Sequence, residues 1–177
     1  MHILMFEGWD EFYFMTGSSA AALIGLLFVV ATLTAGRDRS TVETGAKLFT
    51  TPLVCHFGAV LVLSAAALVP SITPVPYALL SGAIALVGAG FGAWIAIGIF
   101  RFAYETKIDW FDVWWYGIIP AIIYALLGVA AAAIAAGAPW ALVALAVAQM
   151  ALLLTTIHNA WDLVTYLAPR AEPPGKS

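Results

Sequence analysis

Five stretches of this chain each run for about 20 residues almost without charge, long enough at about 1.5 Å per helical residue to cross a bilayer's hydrocarbon. They cover residues 12–35, 48–69, 77–100, 115–136 and 140–164. Clear breakers separate them: "GRDRS", "PSITPVP", "RFAYETKID" and "GAP". Pro70, Pro74 and Pro76 forbid a continuous helix between the second and third stretches. Gly137 and Pro139 make a very short, uncharged turn between the fourth and fifth; a helix running through it would reduce the count to four. Composition agrees with the pattern. Hydrophobic residues make up 63% of the 177 and charged residues 10%, against about 25% charged in a soluble domain. The expected architecture is therefore an all-α membrane protein: one domain over 1–168, a bundle of five transmembrane helices, and a flexible cytoplasmic tail at 169–177.

The basic residues set an orientation. With five helices, Arg37, Arg39, Lys47, Arg101, Lys107, Arg170 and Lys176 all fall on one side, and they are all seven of the chain's Lys and Arg. The positive-inside rule then predicts N-terminus out and C-terminus in. Glu7, Asp10 and Glu11 leave the outer N-terminal segment with three negative charges. That segment has no Lys or Arg, and the apolar run behind it is too long for a signal-peptide core, so it reads as a retained helix. Trp9, Phe12, Tyr13, Trp110, Trp114, Trp115, Tyr116 and Trp140 read as an interfacial aromatic belt. The loop 103–113 suits a short interfacial helix.

Several function classes drop out. Scattered basic residues offer no patch for nucleic acid. One cysteine, Cys55, allows no internal disulfide. G-x-S-x-G, Walker-type, H-E-x-x-H and C-x-x-C motifs are absent, and nothing calls for an enzyme. No inverted repeat of the transporter kind is visible.

Small residues recur at spacing four: Gly17, Ala21 and Gly25 on the first helix, Gly88, Gly92 and Ala96 on the third. Such faces admit close helix approach. The expectation is that these two faces pack on each other, with a second copy or a membrane partner protein as the alternative occupant.

Ionisable groups inside a bilayer are costly and are candidate functional sites. His56 lies about 13 Å from the inner boundary marked by Lys47, and His158 about 9 Å in from Val164. Tyr124 reaches a similar level. On the fifth helix, Thr155, His158, Asn159 and Asp162 recur at spacings of three and four and form a polar stripe. Asp162, one turn from His158, is placed to accept its ring proton. With Thr51, Cys55 and the helix-perturbing Pro52 nearby, these groups could converge into one inner-half polar pocket. Three readings follow: a pathway for protons or small solutes; interhelical hydrogen bonds in a structural or accessory subunit; and haem or another metal held by His56 and His158. No cofactor is called for by the first two. Gln149, in the outer half, reads as a structural hydrogen-bonding group.

The segments "GSSAAALIGLLFV", "TTPLVCHF" and "NAWDLV" resemble a group of small uncharacterised bacterial polytopic membrane proteins. The resemblance implies a multi-pass protein of the bacterial inner membrane and carries no activity or cofactor.

Overall fold

The computed structural model of the protein describes residues 5–34, 50–105 and 110–167. These residues form helices joined by turns, with no strand among them. Helix α1 is Asp10–Thr34, α2 is Thr51–Ala67 and α3 is Pro74–Glu105. Helix α4 is continuous but mixed: an α-helical turn Trp110–Val113, a π-helical segment Trp114–Ile118, then Ile119–Ala135. Helix α5 is Ala141–Leu167. The four spans Asp10–Thr32, Pro74–Gly98, Trp114–Ala135 and Ala141–Thr165 are long and apolar enough to cross a membrane. Helix α2 is apolar but shorter, at 17 residues. Arg37, Arg39, Lys47, Lys107, Arg170, Lys176 and the tail 169–177 lie outside the described residues. So do the ends of the expected first and second helices at 35 and 48–49, and the middle of the loop 103–113.

Helix ends follow local chemistry. The prolines between α2 and α3 do separate them, but not by marking a loop throughout. Pro74 and Pro76 fall in the first turn of α3, where a missing N–H leaves no bond unmade. The third helix therefore begins three residues before the expected Tyr77. The "GAP" turn is a true break. Gly137 takes a left-handed φ of 70°, its N–H donates to the Ile134 carbonyl and the Ala138 N–H to that of Ala133 at 2.9 Å. Crossed bonds of this form close a helix around a C-terminal glycine.

Packing of α3 on α4 is antiparallel and held in register by small residues. A Cβ on Gly92 would stand 3.3 Å from Ala121 Cβ, and one on Gly117 would stand 2.6 Å from Ala96 Cβ. At Gly88 a Cβ would run into the Tyr124 ring. The small-residue face of α3 thus packs on α4, and the expected pairing with α1 is not what forms. On α1, only Gly17 sits at a tight contact, where a Cβ would meet Ser64 Cβ of α2 at 2.9 Å. Ala21 and Gly25 are exposed, and a Cβ on Gly25 would meet nothing within 4 Å.

The outward surface is apolar. Leu86, Val87, Leu79, Phe14 and Trp161 are among its most exposed side chains. Eight polar side chains go inward: Thr16, His56, Ser64, Ser81, Gln149, Thr155, Thr156 and Asn159 are all buried. Water would favour the opposite arrangement; a hydrocarbon solvent favours this one. The aromatic belt is only partly a belt. Trp114 and Trp140 are exposed, but Tyr13 and Tyr116 are core residues.

Candidate functional site, a buried polar seam

His56 projects from α2 into the bundle centre and is 1% exposed. Its Nδ1 is 2.9 Å from the Tyr124 hydroxyl of α4, and the two rings lie 5.5 Å apart. In one tautomer Tyr124 O–H donates to Nδ1; in the other, Nδ1–H donates to the Tyr124 oxygen. Either way Nε2 is buried without a hydrogen-bond partner. Tyr124 is in turn seated by Gly88, whose lack of a side chain leaves room for the ring.

Asn159 has a different task. The Ile119 N–H bonds to the Trp114 carbonyl, the wider π-helical pairing. In that register the Trp115 carbonyl should take the N–H of residue 120. Residue 120 is Pro120 and has none. Asn159 Nδ2 supplies the donor, bonding the Trp115 carbonyl at 2.8 Å. Tyr116 O–H donates back to the Asn159 carbonyl at 2.9 Å. A proline-caused vacancy in one helix is thus filled from its neighbour, as happens for broken helices in hydrocarbon. Asn159 Oδ1 remains buried and unpartnered.

The rest of the α5 stripe divides. Thr155 is buried at 9% exposure. Thr156, which sequence reasoning passed over, is fully buried and donates to the Leu152 carbonyl at 2.6 Å. His158 and Asp162 face outward, with side chains 45% and 54% exposed, and their closest atoms are 4.0 Å apart. That exceeds hydrogen-bond length. The His158 ring lies 3.9 Å from the Trp115 ring instead. His56 and His158 therefore occupy different environments, one in the core and one on the surface. Cys55 and Thr51 are also exposed. The expected single pocket resolves into a core pair, His56 with Tyr124, a separate Asn159 clasp, and an outward-facing His158 with Asp162.

A second buried cluster lies nearer the other end of the bundle. Gln149 Nε2 donates to Ser64 Oγ at 2.5 Å, with the Val60 carbonyl at 3.4 Å and Thr16 Oγ1 at 3.5 Å. Ser64 Oγ and Thr16 Oγ1 are 3.0 Å apart, and Thr16 donates to the Phe12 carbonyl at 3.0 Å. The bonds run in one sense, from the Gln149 amide through two hydroxyls to a carbonyl on α1. Gln149 Oε1 is buried and unpartnered. Sequence reasoning named Gln149 alone. The small polar residues Thr16 and Ser64 gave no signal until the helices were paired.

The contact of Ser64 with Gln149 fixes the level of α2 against α5. His56 lies about 12 Å along the axis from Ser64, and Asn159 about 15 Å from Gln149. Both steps lead toward the same end. Among the described residues no group of three or more His, Cys, Asp or Glu is placed to hold a metal. No family model, curated protein or solved structure matches this chain.

Proposed function

We propose that the chain is a multi-pass membrane protein that handles protons or small polar solutes at His56. One observation carries this reading: a fully buried imidazole, held at Nδ1 by Tyr124, keeps Nε2 unpartnered. Leaving a buried polar atom unsatisfied costs about 1–3 kcal/mol. An imidazole nitrogen left open in this way is free to take up a proton or a polar ligand, since each ring nitrogen can donate or accept.

The accessory or structural reading has its own support. The Asn159 clasp and the Gln149–Ser64 bond join helices and need no transport role. It leaves His56 Nε2 unexplained. The seven basic residues and the family resemblance favour the bacterial inner membrane, N-terminus out. A thiol introduced as Ser177→Cys in a Cys55→Ala background then reacts with impermeant reagents only from the cytoplasmic side; labelling from outside reverses the orientation.

Reconstitution in liposomes tests the function. A pH-sensitive dye inside, and a panel of ions and small solutes outside, should register a flux lost in His56→Phe and reduced in Tyr124→Phe. Absence of any flux in the parent protein refutes the reading. So does a flux indifferent to His56→Phe.

A further inference from the structure

We infer that the site at His56 is reached from the outer end of the bundle through the Gln149–Ser64–Thr16 cluster, that Phe6 closes that end, and that the cargo is the proton. This rests on the reading of His56 as an exchanging group and adds its route and cargo.

The route is drawn by unpartnered atoms. Tyr13 Oη, Gln149 Oε1, His56 Nε2 and Asn159 Oδ1 are all buried and all lack partners. They are contributed by α1, α2 and α5, and they succeed one another along the bundle. Tyr13 is about 4.5 Å outward of Thr16, and Asn159 about 15 Å inward of Gln149, so the set covers about 20 Å of a hydrocarbon layer about 30 Å thick. Buried polar groups of this kind are commonly satisfied by ordered water, which needs two to four polar partners. The cluster supplies them: two hydroxyls, an amide and the Val60 carbonyl.

The cargo follows from chemistry and space. No residue of the seam carries a fixed charge, so a desolvated metal cation or anion would find only neutral partners. Backbones are close there, since a Cβ on Gly17 would already meet Ser64 at 2.9 Å. Hydroxyl, phenol and imidazole each both donate and accept, as a relay of protons requires, while the Gln149 and Asn159 amide oxygens only accept and so serve to hold water on the route. At His56 one proton enters the ring at a nitrogen and one leaves it, so the ring returns to neutral and the gradient supplies the drive. Between Gln149 and His56 the core is apolar, with Val60, Phe57, Leu152 and Leu153 buried. A proton relay must cross that apolar layer, so on this proposal the path is gated and not open.

The outer end is covered. Residues 5–8 form a turn, with Gly8 at φ 83° and the Trp9 N–H bonded to the Phe6 carbonyl at 2.9 Å. This folds the Phe6 ring back onto the bundle, where it is buried edge-on against Tyr13 at 5.1 Å and Tyr77 at 4.7 Å. Glu7, Asp10 and Glu11, within five residues of Phe6 along the chain, are exposed. Acidic groups at a mouth raise the local proton and cation concentration, an effect screened within about 8 Å at physiological salt.

The full chain in liposomes provides the test, with two readouts. Proton flux should fall at least tenfold in Gln149→Leu and in Ser64→Ala, and rise several-fold in Phe6→Ala, while sodium flux stays at the level of empty vesicles. A His56-dependent flux unchanged in Gln149→Leu and Ser64→Ala overturns the outer route; sodium flux above that level overturns the cargo. Silver-ion access reads the route without relying on flux. Ser64→Cys in a Cys55→Ser background should react with external silver ion, and faster when Phe6→Ala is added. No reaction even with Phe6→Ala overturns the outer route. No proton flux in the parent overturns the reading of His56 itself, and the silver readout then still decides the route.

Discussion

Gly88→Ala is the sharpest single perturbation this packing offers. A methyl group at residue 88 would overlap the Cδ1–Cε1–Cζ edge of the Tyr124 ring. That edge is not a free end that can swing aside: Tyr124 is 2% exposed and its hydroxyl is tied to His56. Overpacking a filled core costs typically about 1–3 kcal/mol. Loss of one interhelical hydrogen bond in a membrane adds roughly 0.6–2 kcal/mol. Against these stands the better helix propensity of Ala, at most about 1 kcal/mol. The net expectation is a loss of about 1–4 kcal/mol. Reversible unfolding in mixed detergent micelles measures it, with Gly90→Ala as the control, because a Cβ on Gly90 meets nothing within 4 Å. Gly90→Ala should be neutral or slightly stabilising. A second comparison removes the ring: in a Tyr124→Leu background, Gly88→Ala should lose most of its cost. If Gly88→Ala matches Gly90→Ala, or costs the same with and without the Tyr124 ring, the seating of Tyr124 by Gly88 is wrong. The link to His56 fails with it.

Two further outcomes follow from the α4–α5 contact. Asn159→Leu should destabilise by about 1–3 kcal/mol, because it leaves the Trp115 carbonyl without a donor; in a Pro120→Ala background, where residue 120 regains its N–H, the cost should shrink by at least half, and an undiminished cost in the same unfolding assay would sever the connection between the proline and the asparagine. His158→Ala, at an exposed position against Trp115, should shift stability by no more than about 0.5 kcal/mol and leave His56-dependent flux intact. A Soret band in purified parent protein, lost in His158→Ala, would instead make His158 a haem ligand.

How far the chain could be read in advance depended on whether a signal was local. Helices at all five expected places follow from runs of apolar residues and from breakers. Both act within a few residues, through the length a helix must reach and the N–H a proline lacks. Even there, Pro74 and Pro76 misled, because a proline that ends one helix also opens the next. His56 and Tyr124 could be singled out as polar groups at similar depth. Their hydrogen bond could not, since it depends on which faces of α2 and α4 turn inward. His158 shows the reverse case. It sits on the same stripe as Asn159 by spacing, yet a rotation of about 100° per residue is enough to put one in the core and the other on the surface.

What the sequence determined by itself was the helices: runs this apolar, broken at these places, are long enough to cross a bilayer and satisfy their backbone bonds within themselves. What only the tertiary structure decided was partnership. Between helices in hydrocarbon, no difference in hydrophobicity selects one face over another; close fit and hydrogen bonds do. Gly88 is therefore a seat for Tyr124 and not a site for α1, and Gln149 joins Thr16 and Ser64, two polar residues the sequence left unremarked, in one buried chain of hydrogen bonds across three helices.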